Sequence, residues 1–149
     1  MSIKVIEKNI FINAPKEKVW EILFTDSSYR IWAAEFSPGS YFETDWQQGS
    51  KALFKGSDGM GLVGHISEVL PNQFLSIQYD GLIGTNGVED VESEGAQVYK
   101  GVLETYTLVE IEGVTELDIT SGMPEEYFEM MTDAWDKALQ KIKTLAEQQ

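Results

Sequence analysis

Histidine occurs once, at position 65, and cysteine not at all. That removes disulfides, thiolate nucleophiles, cysteine metal sites, multi-histidine metal centres and the usual histidine-based triads. Carboxylates and phenols remain for acid–base work, and among them Glu104 stands out. Glu104, Tyr106 and Leu108 alternate along one run, and Leu117, Ile119 and Ser121 along the next, so adjacent strands could set Glu104 on the inner face of a sheet. A carboxylate in an apolar pocket has a raised pKa and can act as an acid, a base or a ligand anchor. The ordinary alternative is a bulge or sheet edge that lets Glu104 reach water or pair with Lys100. Structural ion pairs outnumber catalytic carboxylates, so this alternative takes precedence. Tyr79 and Tyr106 pose the same choice, since a phenol joins an apolar body to a hydrogen-bonding tip, and core packing is the ordinary reading for either alone.

His65 lies between Gly64 and Ile66. If Ile66 faces the core, period-two alternation turns His65 outward, and without a positioned partner it is a solvent-facing side chain rather than a base. Glu89-Asp90 and Glu92 with Glu94 offer oxygen ligands but lack the calcium-loop spacing and its glycine, so they read as a solvated loop. No GxxxxGK[ST], GxSxG, HExxH or dinucleotide fingerprint occurs, and neither a metal nor another cofactor is expected. Phe128, Met131 and Trp135 recur at helical spacing, a stripe that is more often core than cavity wall, although Met adapts to varied apolar ligands. Phe42, Phe54 and Ile66 are weaker candidates for a facing wall.

The elements that must position these residues follow from patterning. Residues 3–13 form a β-branched, strand-like run. Asn13 then offers an N-cap and Pro15 fits a first helical turn, with Val19, Ile22 and Leu23 at helical spacing. Thr25, Asp26 and Ser27 break and recap the chain, and Tyr29 and Trp32 fall in a second short helix. Short alternating stretches at about 40–45, 51–57, 60–70 and 73–82 give four strands, with turns at Ser57-Asp58-Gly59 and Pro71-Asn72. Residues 83–97 carry three glycines and an acidic cluster and read as a long loop. Strands resume at 98–111 and 114–121 around a Glu112-Gly113 hairpin turn. A final helix runs over 124–147, with Glu125 and Glu126 at its positive end and Lys137, Lys141 and Lys143 towards its negative end. This order gives an α+β fold: an antiparallel sheet curved around the last helix, within a single domain spanning 1–149.

Composition narrows the function further. With 42% apolar and 11% aromatic residues but only 4 Pro, the chain can bury a substantial core. Eleven basic against 25 acidic residues leave a net charge of −14, which repels a nucleic-acid backbone or an anionic lipid surface. No apolar run approaches the roughly 20 residues needed to span a bilayer, so no membrane insertion is expected. The first residues lack the basic segment and apolar stretch of a signal peptide, and absence of cysteine fits a reducing compartment, so a cytoplasmic location is the default.

The motifs then resemble a known family. APKEKVWEIL at 14–23, Trp32, GHISEVLPNQFLSIQY at 64–79, the hairpin at 103–119 and AWDKALQKIKTLAE at 134–147 are similar, in order and spacing, to one branch of the START/Bet v 1-like (SRPBCC, helix-grip) superfamily. That branch is named for the activator of the heat-shock protein 90 ATPase. The resemblance implies a seven-stranded antiparallel sheet gripping the C-terminal helix, with a cavity between them that often holds an apolar or amphipathic small molecule. Two departures bear on the cavity and its entrance: Ala134 stands where the branch frequently has Gly, and the acidic excursion at 83–97 is longer than the minimal pattern.

The reading that combines both lines is non-catalytic binding of a small apolar or amphipathic molecule. Tyr79, Tyr106 and Glu104 would orient its polar end, and Met131 and Trp135 would contact its apolar body. The first alternative is an interaction module, chaperone-associated or homodimeric, with a filled core and an exposed apolar patch. The second is a cyclase- or hydrolase-type enzyme using Glu104 or a tyrosine as acid or base.

Overall fold

Ile3–Ile12 form the first strand, β1, with Ile6 and Ile12 buried. The computed structural model of the protein describes residues 2–148. Pro15 takes the N-cap position of helix α1 (Lys16–Phe24) instead of lying in its first turn. Asn13, expected as the cap, instead donates its backbone N–H to Glu147 Oε2 at 2.8 Å. Helix α1 buries Val19, Ile22 and Leu23, and α2 (Asp26–Trp32) follows at once. The carbonyl of Ile22, freed by the end of α1, accepts from Ser28 Oγ at 2.6 Å and from Trp32 Nε1 at 3.3 Å. Satisfying that orphan acceptor locks the angle between the two helices.

The meander comprises β2 (Tyr41–Glu43), β3 (Lys51–Lys55), β4 (Gly61–Leu70) and β5 (Phe74–Ile83), and the C-terminal hairpin comprises β7 (Leu103–Ile111) and β8 (Val114–Pro124). Between them Glu89–Asp90 form a two-residue strand, β6. Every pairing is antiparallel, in the order β1-β8-β7-β5-β4-β3-β2, with β6 attached to β5. The expected seven strands are thus the continuous path and β6 is an eighth. Register shifts at Val63/Gly64 and Ile66/Glu68 bend the sheet. At Gly64 a Cβ would stand 2.5 Å from the Gln78 carbonyl oxygen, so only glycine admits this close approach.

Two expected boundaries differ. Residues 83–97 are not an open loop: besides β6 they contain most of a helix, α3 (Glu94–Tyr99), and β7 begins at Leu103 rather than 98. Ser93 caps α3 by accepting the Ala96 N–H at 3.2 Å, while Asp90 accepts both the N–H and the hydroxyl of Ser93. Buried Ala96 holds the short helix in place. At the other boundary, β8 continues through Pro124 and a 3-10 turn, Glu125–Tyr127, intervenes before helix α4 (Phe128–Glu147). Pairing of Ile3 with Pro124 extends the strand past the point where a helix was expected.

At 1.5 Å per residue α4 runs about 30 Å. Its buried face starts only at Ala134 and Trp135 and continues through Ala138, Leu139, Ile142 and Ala146, whereas Phe128 and Met131 are half-buried. The later turns therefore join the core of Ile6, Ile12, Leu75, Ile77, Leu117 and Ile119. The first turns leave room beneath them.

Candidate functional site

A cavity of about 720 Å³ occupies that room. Trp32 and Phe36 reach it from α2 and the turn after it, Phe54 from β3, Tyr79 from β5, and Met131 and Trp135 from α4. The indole of Trp135 is wedged among rings from three elements. It stacks on Trp32 with centroids 6.0 Å apart, and meets Phe36 edge-on at 4.8 Å and Tyr106 at 6.2 Å. Such offset and edge-on pairs hold ring orientation as well as burying area, so this wall is pre-formed. Tyr99 of α3 also lines the cavity, which gives the acidic excursion a structural part in it. Among the described residues Lys55 is the only basic one in the lining, and its Nζ is held by Glu43 at 2.7 Å.

Glu104 lies at the inner end of the site. Its strand sits in the middle of the sheet, with Ile77 opposite on β5 and Ser121 opposite on β8. Neither a sheet edge nor a bulge therefore turns the side chain outward, and Lys100 is not its partner. Instead Glu104 Oε1 accepts from Tyr79 Oη at 3.2 Å and Ser121 Oγ at 3.4 Å, and Oε2 accepts from Tyr106 Oη at 2.5 Å. By surface area Glu104 is half-buried, but it also lines the cavity, and no basic group lies within ion-pair distance among the described residues.

Burial raises the Glu104 carboxyl above the usual carboxylate range, and the hydroxyls of Tyr106, Tyr79 and Ser121 pull the other way. Burial, reinforced by the negative charge of Glu104, pushes the phenols of Tyr79 and Tyr106 well above their ordinary value, and that of Tyr29 in the same direction. All three phenols therefore remain protonated at neutral pH, and those of Tyr79 and Tyr106 are donors oriented on Glu104.

Of the residues singled out in the sequence, Tyr79, Glu104, Met131 and Trp135 line the cavity together, while Tyr106 sits behind it and reaches Glu104 through its hydroxyl. Phe54 joins the wall; Phe42 and Ile66 do not. Phe42 packs on Tyr29 and Trp46, and Ile66 is in the core. His65 does have a positioned partner, Asp80, whose carboxylate is 2.9 Å from Nδ1. Both are half-exposed on the face opposite the cavity, since their chain neighbours Ile66 and Tyr79 point inward. Sequence reasoning missed Tyr29, Trp32 and Phe36 as lining residues, although they recur at intervals of three and four. It also missed Ser121 as a partner of Glu104, although the alternation had placed it on the right face. Among the described residues no group of three or more His, Asp or Glu side chains is placed to hold a metal ion.

An antiparallel sheet curled around a C-terminal helix, with two short helices after the first strand and a cavity under the last one, defines the helix-grip class. Residues 13–147 match the family model described as Activator of Hsp90 ATPase homolog 1-like protein, and the chain belongs to that family. No curated protein matches the chain. Solved structures similar to it include protein MLL2253 from Mesorhizobium loti, with TM-score 0.73, 18% identity and coverage of 95% of this chain and 96% of that one. The Aha1 dimer from Colwellia psychrerythraea has TM-score 0.69 and 18% identity, covering 97% and 96%. ChR145 from Cytophaga hutchinsonii has TM-score 0.68 and 23% identity, covering 99% and 97%. At these identities the likeness is one of fold.

Proposed function

We propose that the protein binds a small apolar or amphipathic molecule in the cavity between the sheet and α4 and performs no chemical step on it. The observation that carries this reading is the cavity itself: a volume of about 720 Å³, within the usual range for small-molecule sites, with aromatic walls and one convergent polar cluster at Glu104. Trp135, Met131, Trp32 and Phe54 supply apolar contact, and Glu104 with Tyr79 orients the polar end. Tyr106 acts behind them by fixing the carboxylate. The Ser121 hydroxyl is only loosely placed on Glu104, at 3.4 Å, no second carboxylate or histidine of the described residues is hydrogen-bonded to the cluster, and His65 stands on the opposite face, which favours a binder over a cyclase or hydrolase.

Native mass spectrometry of the purified protein tests this directly. The expected result is an added small-molecule mass that is lost on gentle activation, and its loss in a folded Trp135→Ala variant. That substitution also costs roughly 3 to 5 kcal/mol of stability, so folding is checked alongside. A clean apo mass that persists after incubation with apolar and amphipathic compounds overturns the reading.

A second reading, an interface between copies of the chain, is favoured by a separate observation. Phe11, Val109, Ile111 and Val114 are exposed together on the outer face where β1 and β7 end and β8 begins. One structural neighbour is a dimer. The same spectrum reports subunit count, and a monomer at all concentrations removes this reading.

A further inference from the structure

We propose that the cavity selects an organic cation, a protonated amine or quaternary ammonium on an apolar body, whose charged head sits against Glu104 among the surrounding aromatic rings. This rests on the cavity being a binding site and adds the charge of its occupant.

Glu104 carries the first argument. Its oxygens accept three hydroxyl hydrogen bonds, yet among the described residues no lysine, arginine or histidine completes an ion pair with it. An unpaired buried carboxylate is costly, and a cationic head would supply the missing partner. The rings give a second, independent argument. Tyr29, Trp32, Phe54, Tyr79 and Trp135 all line the same cavity, and aromatic faces attract a desolvated cation, a combination that recurs in quaternary-ammonium sites. The third is what the lining lacks. Its single base, Lys55, is already held by Glu43, so an anionic head such as a fatty carboxylate would meet Glu104 with no free cation to neutralise it. The net charge of −14 then draws cations towards the protein and repels anions.

The test uses three probes with the same chain and different heads: octyltrimethylammonium, octanol and octanoate, titrated calorimetrically into the wild-type protein and into Glu104→Gln at about 0.3 M NaCl to screen long-range attraction. The expected order is octyltrimethylammonium at least roughly ten-fold tighter than octanol, with octanoate weakest. In Glu104→Gln the cation falls to the level of octanol. Because the variant removes one of 25 acidic residues, a general attraction to the acidic surface would survive it, and survival of the preference overturns the proposal. Equal binding of all three probes to the wild type overturns the charge selectivity while leaving the cavity as a binding site. No binding of any probe overturns both. The wild-type series decides the sign even if the variant does not fold.

Discussion

At the residue scale, the informative group is a carboxylate the fold has placed in a cavity wall, among hydroxyl donors and with no basic side chain of the described residues beside it. Glu104 holds its proton more tightly in the folded state than in the unfolded chain, because burial raises its pKa. In the window from the ordinary value of 4.5 up to the folded value, the native state binds the extra proton, so the stability from this group falls as pH rises. Above the folded value the penalty is complete. We expect Glu104→Gln to gain stability relative to wild type as pH is raised from below the ordinary carboxylate value to 8, read from urea midpoints at each pH; a difference that stays flat across that range would mean the carboxyl is unperturbed. Tyr106→Phe should act in the opposite sense, losing a hydrogen bond to a charged group at about 1.5–3 kcal/mol at pH 8 and less where Glu104 is protonated, at the acid end of the same series. In the sequence, alternation with Tyr106 and Leu108 offers the inner face for Glu104, but the sheet-edge alternative takes precedence over it. The partners of Glu104 were not legible, because Tyr79 is 25 residues away and reaches it only through the register of β5 on β7.

At the scale of elements, strongly patterned segments were readable and short ones were not. The C-terminal helix declares itself by its apolar stripe, yet its start was misplaced, because strand pairing of Ile3 with Pro124 is a tertiary effect that no local pattern records. Helix α3 has only six residues, one of them Gly95, too few to show a period. Its one local signature is Ser93 as a cap, and that was submerged in the acidic run. The β7–β8 hairpin is the opposite case. Ile111 pairs with Val114 across a two-residue turn, and both turn residues have positive φ, +51° at Glu112 and +83° at Gly113. This is the turn type that matches strand twist and prefers Asn-Gly, so Glu112 is the strained member of an otherwise well-chosen pair. Glu112→Asn should therefore raise stability by about 0.5–1 kcal/mol, measured as an increased urea midpoint at unchanged slope. No gain would indicate that the exposed carboxylate at this position compensates for the strain elsewhere in the hairpin.

At the scale of the whole molecule, two electrostatic effects oppose each other, and their balance can be measured. Seven lysine or arginine ion pairs are present among the described residues, most of them with at least one well-exposed partner, as in Lys4–Glu125 and Lys51–Glu89. Pairs of this kind contribute about 0–1 kcal/mol each and are weakened by salt. Against them stands the self-repulsion of a net charge of −14, which salt also weakens, since the screening length falls from about 30 Å at 0.01 M to about 8 Å at physiological ionic strength. The outcome turns on range. The partners in a pair are only a few ångströms apart and are modestly affected by that change, whereas repulsion summed over the whole surface acts across just the distances that become screened. Chloride salt should therefore raise the melting temperature, by about 2–4 °C for each kcal/mol of repulsion relieved in a chain of this length. A scanning series from 10 to 300 mM NaCl checks this, and a falling melting temperature would show that the ion pairs outweigh the net charge. The same repulsion gives a cationic occupant a second effect: it would fill the space under α4 and also remove one unit of the excess charge, so its stabilisation should be largest at low salt.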